Sequence, residues 1–208
     1  MKRRSLLKAG AALAVPGFMS FGASAKPALR TKAPKILIVY FSRPGMNYVL
    51  GDMVNLPVGN TEKFAKIIAK TLGAPLFRIE PVTPYPFDYR KTTAIAREER
   101  SAGKAWDAKA IPDIRGYDVI FWGHPIWYGE MPYLVRGVLS KLDCSGKTIV
   151  PFVTHEGSGI GNTASLIRSF QKKAEVREGL GILGTRFARN EPVEPEITAW
   201  LKRLGYQK

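Results

Sequence analysis

Three short runs fix most of what this chain can become: KILIVYF at 35–41, YDVIFWG at 117–123 and KTIVPFVTH at 147–155. Each is apolar, rich in β-branched or aromatic residues, and too short for a helix of typical length. A strand that alternates polar and apolar has one face in water. These runs do not alternate, so they read as strands covered on both faces, the pattern of a parallel sheet. Between them lie stretches with helical spacing. In TEKFAKIIAKTLG (61–73), Phe64, Ile67, Ile68 and Leu72 share one face, and Gly73 supplies a stop. Residues 88–103 read as an exposed helix, 131–142 as a helix with proline at its start, and 161–173 and 195–205 as two more. LFRIEPV (76–82) and REGLGILG (177–184) complete five strands. Strands that alternate with helices build βαβ units, so the expected architecture is a doubly wound α/β domain with helices on both faces of a five-stranded parallel sheet. Its ligand site should open at the carboxyl ends of the strands.

The ends of the chain read differently. Residues 1–25 begin MKRRSLLKAG, continue through a short apolar stretch and close on Ala23-Ser24-Ala25. This is a basic segment, an apolar segment and a small-x-small cleavage site. The Arg3-Arg4 pair reads as a twin-arginine export signal, so a periplasmic or otherwise exported protein is expected. Pro16 interrupts the apolar stretch, which makes it a poor spanning helix, and no stable membrane span is expected after cleavage. Residues 26–34 read as a linker and 35–208 as the folded domain.

The 208-residue chain carries 32 basic and 17 acidic residues. Cleavage would remove four of the basic ones and none of the acidic ones, leaving a net charge of +11. Such a balance favours anionic ligands or acidic partners. The basic residues are dispersed and carry no nucleic-acid motif, so no nucleic-acid partner is expected. The lone Cys144 excludes an intrachain disulfide and reads as structural. No metal site is expected.

Three loops follow the strands on the edge where a ligand should bind. The first runs from Ser42-Arg43 to Gly59-Asn60-Thr61, with an apolar excursion over 44–58 between. A helix beginning near Thr61 offers free N–H groups and a positive dipole end, Gly59 permits close approach, and Ser42, Asn60 and Thr61 can donate. The excursion reads as a hairpin turning at Gly51-Asp52, folded back as a flap that carries Asn47 or Tyr48 to the ligand, or else packed on a neighbouring surface. The second loop, GHPIWYGEMP at 123–132, presents Trp127 and Tyr128, whose rings could stack on a planar ligand or pack as a lid. Trp122, inside the strand, reads as core. The third loop, THEGSGIGNT at 154–163, brings glycine-rich backbone near a flat polar ligand. His155 in it is a general base or an orienting group.

Taken in order, VYFSRPGMNY, GNTEKFAKIIA, GHPIWYGEMP and KTIVPFVTHEGSG resemble the flavodoxin family, over about residues 35–205. The resemblance implies sheet order 2-1-3-4-5 and FMN as cofactor. It assigns Ser42, Asn60 and Thr61 to the 5′-phosphate, and Pro125, Ile126, Trp127, Tyr128 and Gly129 to ribityl and flavin. Thr154, His155, Glu156, Gly157, Ser158 and Gly159 would bound the other side of the ring. Arg43, Asn47 and Tyr48 are placed beside them by their position in the first loop. The expected function is electron transfer or flavin-dependent reduction outside the cytoplasm, carrier and enzyme being left open. Its partner would be a redox protein or a small-molecule acceptor such as a quinone, with NAD(P)H as a candidate donor. The alternatives are a flavin-free binding module and a hydrolase on the same sheet, although the G-x-S-x-G elbow is absent.

Overall fold

A computed structural model describes residues 33–104 and 107–207. The expected export signal and nearly all of the expected linker lie outside the described residues.

The first strand, β1 (Ile36–Tyr40), lies inside the main sheet, paired on both edges. Its side chains alternate between two cores. Leu37, Val39 and Phe41 face one way, with Ile120, Trp122, Val135 and Leu139. Ile38 and Tyr40 face the other, with Phe64, Ile68, Phe121, Phe152 and Trp200. This two-sided burial explains why the run lacks polar alternation.

A hairpin follows, β2 (Gly45–Val49) and β3 (Asp52–Leu56), which forms its own two-stranded antiparallel sheet. The chain then enters α1 (Asn60–Leu72), whose buried face of Phe64, Ala65 and Ile68 packs on the second core. Next come β4 (Leu76–Arg78), α2 (Tyr89–Ala102), β5 (Val119–Pro125), α3 (Tyr133–Ser140), β6 (Thr148–His155) and α4 (Thr163–Phe170). The chain ends with β7 (Glu175–Val176), β8 (Leu180–Leu183), α5 (Gly184–Ala188) and α6 (Glu194–Arg203).

The main sheet runs β4-β1-β5-β6-β7, with every pairing parallel. Counted without the hairpin, this is the order 2-1-3-4-5. The fifth position is shared by two pieces. Glu175–Val176 pairs with the start of β6 at Thr148–Ile149, and Leu180–Leu183 pairs with its end at Phe152–His155. One continuous fifth strand over 177–184 is therefore not formed. Arg177 starts the interruption and reaches across to Glu175 and to the Leu204 carbonyl. α3 and α4 cover the first core, and α1, α5 and α6 the second.

The element ends shift from their sequence expectation. β4 stops at Arg78, because Pro81 lies in an isolated bridge to Ala108 rather than in the sheet. β5 runs on to Pro125, two residues past the aromatic run, still in register with Thr154 of β6. The hairpin turns at Leu50-Gly51, one residue before the expected Gly51-Asp52, since Asp52 already pairs with Val49. Cys144 and Trp122 are both buried, as expected. Among the described residues no helix is long and apolar enough to cross a membrane.

Candidate functional site

The carboxyl ends of β1, β5 and β6 open into a cavity of about 190 Å³. Its floor is built from the start of α1. Gly59 caps that helix without a side-chain bond, and the Ser42 hydroxyl takes over by accepting the Glu62 N–H at 3.0 Å. The two approach so closely that a Cβ on Gly59 would lie 2.3 Å from Ser42 Oγ. That leaves the Ser42 O–H free to donate. Beside it, the hydroxyls of Thr61 and Thr154 are buried and lie 2.7 Å apart. Two hydroxyls in one bond use one of their two protons, so the pair keeps one O–H to donate elsewhere.

Asn60 shows the same surplus. Its Oδ1 is buried with no partner, which costs about 1–3 kcal/mol where nothing compensates. Its amide nitrogen lies against Gly184, where a Cβ would sit 2.8 Å from both Asn60 Nδ2 and Glu156 Oε1. Glu156 is the one carboxylate lining the cavity, and it accepts the Thr185 O–H at 2.6 Å. These groups form a cradle of unspent donors and acceptors suited to an anion and its polar linker.

Arg43 lines the same cavity but is committed elsewhere. It donates to the carbonyls of Met46, Pro86 and Phe87 at 2.6–3.2 Å. It thereby ties the hairpin and the turn before α2 to the first loop. Burial lowers its pKa, against the pull of Asp88. Its charge reaches the site, while its hydrogen bonds hold the walls.

The mouth is aromatic. Tyr48 comes from the hairpin, Tyr128 from the second loop, and Tyr89 from the first turn of α2. Tyr128 has φ +51 and is anchored by its hydroxyl to the Thr93 carbonyl at 2.9 Å. Burial raises the Tyr89 phenol pKa, and Tyr128 and Tyr48 push the same way. Trp127 lines the cavity, but its ring packs edge-on against Phe41 and Tyr85 with centroids 5.5 and 5.0 Å away. It is therefore a wall held by the core. His155 serves the loop: its Nδ1 accepts the Gly157 N–H at 3.0 Å, and the ring bonds the Gly181 backbone. With both nitrogens in use and burial lowering its pKa, it orients the third loop rather than acting as a general base.

The structure brings together Ser42, Arg43, Asn47, Tyr48, Asn60 and Thr61 from the first loop with Pro125, Ile126, Trp127, Tyr128 and Gly129 from the second. Thr154, His155, Glu156 and Ser158 join them from the third. Gly157 and Gly159 belong to that loop without lining the cavity. Sequence reasoning missed Tyr89 and Gly184. The capping Asp88 marked the start of α2, but nothing in the sequence showed that this start meets the site. Among the described residues no cluster of His, Cys, Asp and Glu could hold a metal ion.

Known proteins place this geometry. The chain has 28% identity to a Bacteroides eggerthii protein described as a candidate flavoprotein, with TM-score 0.64 over 83% of this chain and 98% of that one. A second such protein, from Bacteroides uniformis, shares 23% identity and TM-score 0.60 over 80% and 99%. A Lactobacillus acidophilus flavoprotein solved in complex with FMN shares 20% identity and TM-score 0.51 over 72% and 93%. No curated protein matches the chain. A family model described as flavodoxin matches residues 35–204, and with the sheet order and the three converging loops it establishes that the chain belongs to the flavodoxin family.

Proposed function

We propose that the cavity holds FMN and that the protein is an FMN-dependent redox protein acting outside the cytoplasm. The observation that carries this reading is the cradle of unspent polar groups. The Ser42 hydroxyl, the Thr61–Thr154 pair and the orphaned Asn60 oxygen converge at the start of a 13-residue helix, below an aromatic mouth. A phosphate suits the hydroxyl donors and the helix end. Asn60 Oδ1 suits a donor such as a ribityl hydroxyl. Tyr48, Tyr89 and Tyr128 suit a flat ring system. Family membership supports the same cofactor, as does the FMN complex of the Lactobacillus protein.

When bound, FMN supplies one- and two-electron chemistry. The chain would bind its phosphate without a lysine, exclude water with the hairpin flap, and set the local field through Arg43 and Glu156. The twin-arginine signal completes the reading. That route carries folded proteins, so the cofactor would be loaded before export to the periplasm. The partner is a redox protein or a small-molecule acceptor such as a quinone.

The test is reconstitution of the purified mature chain with FMN, riboflavin and FAD. FMN should bind stoichiometrically and at least tenfold more tightly than riboflavin. Thr61→Val should weaken FMN by about tenfold while affecting riboflavin less, whereas Asn60→Ala, on the ribityl side, should weaken both. Equal affinity for FMN and riboflavin would overturn the phosphate cradle. No saturable flavin binding would overturn the function.

A further inference from the structure

A second cavity, of about 530 Å³, lies on the far side of Ser42 and Arg43 from the site. It is formed between the base of the hairpin, the end of β4 and the turn before α2. Pro44, Pro57, Pro81 and Pro84 give it walls with little freedom to collapse. Phe41, Tyr85 and Phe87 add ring faces, and Phe87 is 60% exposed. An aromatic left this open on a small exported domain gains nothing from core packing. The volume falls within the range of small-ligand sites, about 300–1,000 Å³, which are mainly apolar with a few directing charges.

Those charges favour one sign. Arg43, Arg78 and Lys109 line the cavity against a single carboxylate, Glu80. Arg43 is committed to backbone carbonyls, and Arg78 bonds Glu62 and the Ser42 carbonyl. Lys109 reaches Glu80 at 3.3 Å, with both side chains about half exposed, so it can turn to another anion at little cost.

We infer that this second cavity is a binding site for a planar aromatic anion, its ring lodged between the prolines and Phe87 and its acidic group facing Lys109. The site does not depend on the FMN reading. It is coupled to the first cavity, because Phe41 and Tyr85 pack on Trp127, which lines that cavity.

The probe is 1-hydroxy-2-naphthoate, followed by its own fluorescence and by calorimetry on the mature chain, with and without added FMN. Saturable binding is expected with a dissociation constant under about 1 mM, the affinity of a ligand of this size at ordinary efficiency. Phe87→Ala and Lys109→Glu should each weaken it at least fivefold, with unchanged thermal unfolding. 1-Naphthol, the same ring and hydroxyl without the carboxylate, should bind at least fivefold more weakly. Naphthoate should still bind when FMN is saturating. Three results would overturn the site: no saturation by the wild type, wild-type affinity in Lys109→Glu, or displacement of the naphthoate by FMN. Equal binding of naphthol would overturn the anion preference. If Phe87→Ala unfolds, the exposed Lys109→Glu decides. If FMN fails to bind at all, the naphthoate measurements stand on their own.

Discussion

His124 is fully buried in β5, one residue before the strand ends and within the 123–132 segment that leads into the second loop. Its Nδ1 lies 3.0 Å from the Pro125 carbonyl, which can only accept, so Nδ1 carries the proton. Nε2 is then the acceptor for the Thr163 hydroxyl, 3.4 Å away at the start of α4. The neutral ring thus joins the second loop to the end of the third. Burial lowers its pKa to about 4, and Arg136 pushes in the same direction. The sign of the linkage follows. An unfolded histidine titrates near 6.5, so between about 6.5 and 4 the unfolded chain holds a proton that the folded chain refuses. The contribution is complete above about pH 6.5 and is lost as pH falls through that window, about 3 kcal/mol in all. His155, whose pKa is also lowered, adds a slope of the same sign. Urea unfolding from pH 7 to 4.5 should show stability falling with acid, and His124→Asn should be flatter over that range. A variant with the wild-type slope would refute the assignment. Ser42, Asn60 and Thr61 were legible as site residues because a parallel sheet dictates which loops meet. The direction of the Arg43 guanidinium was not, since two of its three acceptor carbonyls, those of Pro86 and Phe87, lie more than forty residues away. Tyr89 and Gly184 escaped for the same reason: only the folded chain brings them to the first loop.

Among the elements, the hairpin departs furthest from local rules. Leu50 and Gly51 turn it with φ of +47 and +101, the sign pattern of a type I′ turn. Glycine adopts this freely, but leucine at positive φ carries strain of about 1 kcal/mol. Leu50 is 59% exposed and gains little burial in return. Leu50→Asn should therefore stabilise the hairpin by about 1 kcal/mol, seen as slower amide exchange at 45–56 with little change in the main sheet. Unchanged or faster exchange would mean that Leu50 makes contacts worth more than the strain. The apolar and nearly uncharged character of 44–58 had marked the segment as structured. The register had not been legible, because Gly51-Asp52 and Leu50-Gly51 are both plausible turns until Asp52 is seen to pair with Val49. The same limit explains β7 and β8. Composition locates an apolar stretch, but only pairing with β6 shows that it divides.

At the scale of the whole molecule, charge is the property read most directly from sequence and least visible in any one contact. The net charge of +11 expected for the mature chain is spread over the surface, where salt screens it within about 8–10 Å. What a bound flavin would feel most is local. Arg43 is buried in the wall with its hydrogen bonds spent on carbonyls, whereas Glu156 lines the cavity and accepts from Thr185. Reduction adds negative charge to the flavin, so a buried cation raises its potential and a nearby carboxylate lowers it. The reduction potential should therefore be less negative than that of an acidic flavodoxin measured under the same conditions. Glu156→Gln should raise it further. Added salt should narrow the gap to the acidic protein only in part, because Arg43 is shielded from ions. Potentiometric titration of the FMN-loaded protein and the variant checks all three. A potential as low as the acidic protein's, or a Glu156→Gln shift to lower values, would show that hydrogen bonding to the ring outweighs the charges around it.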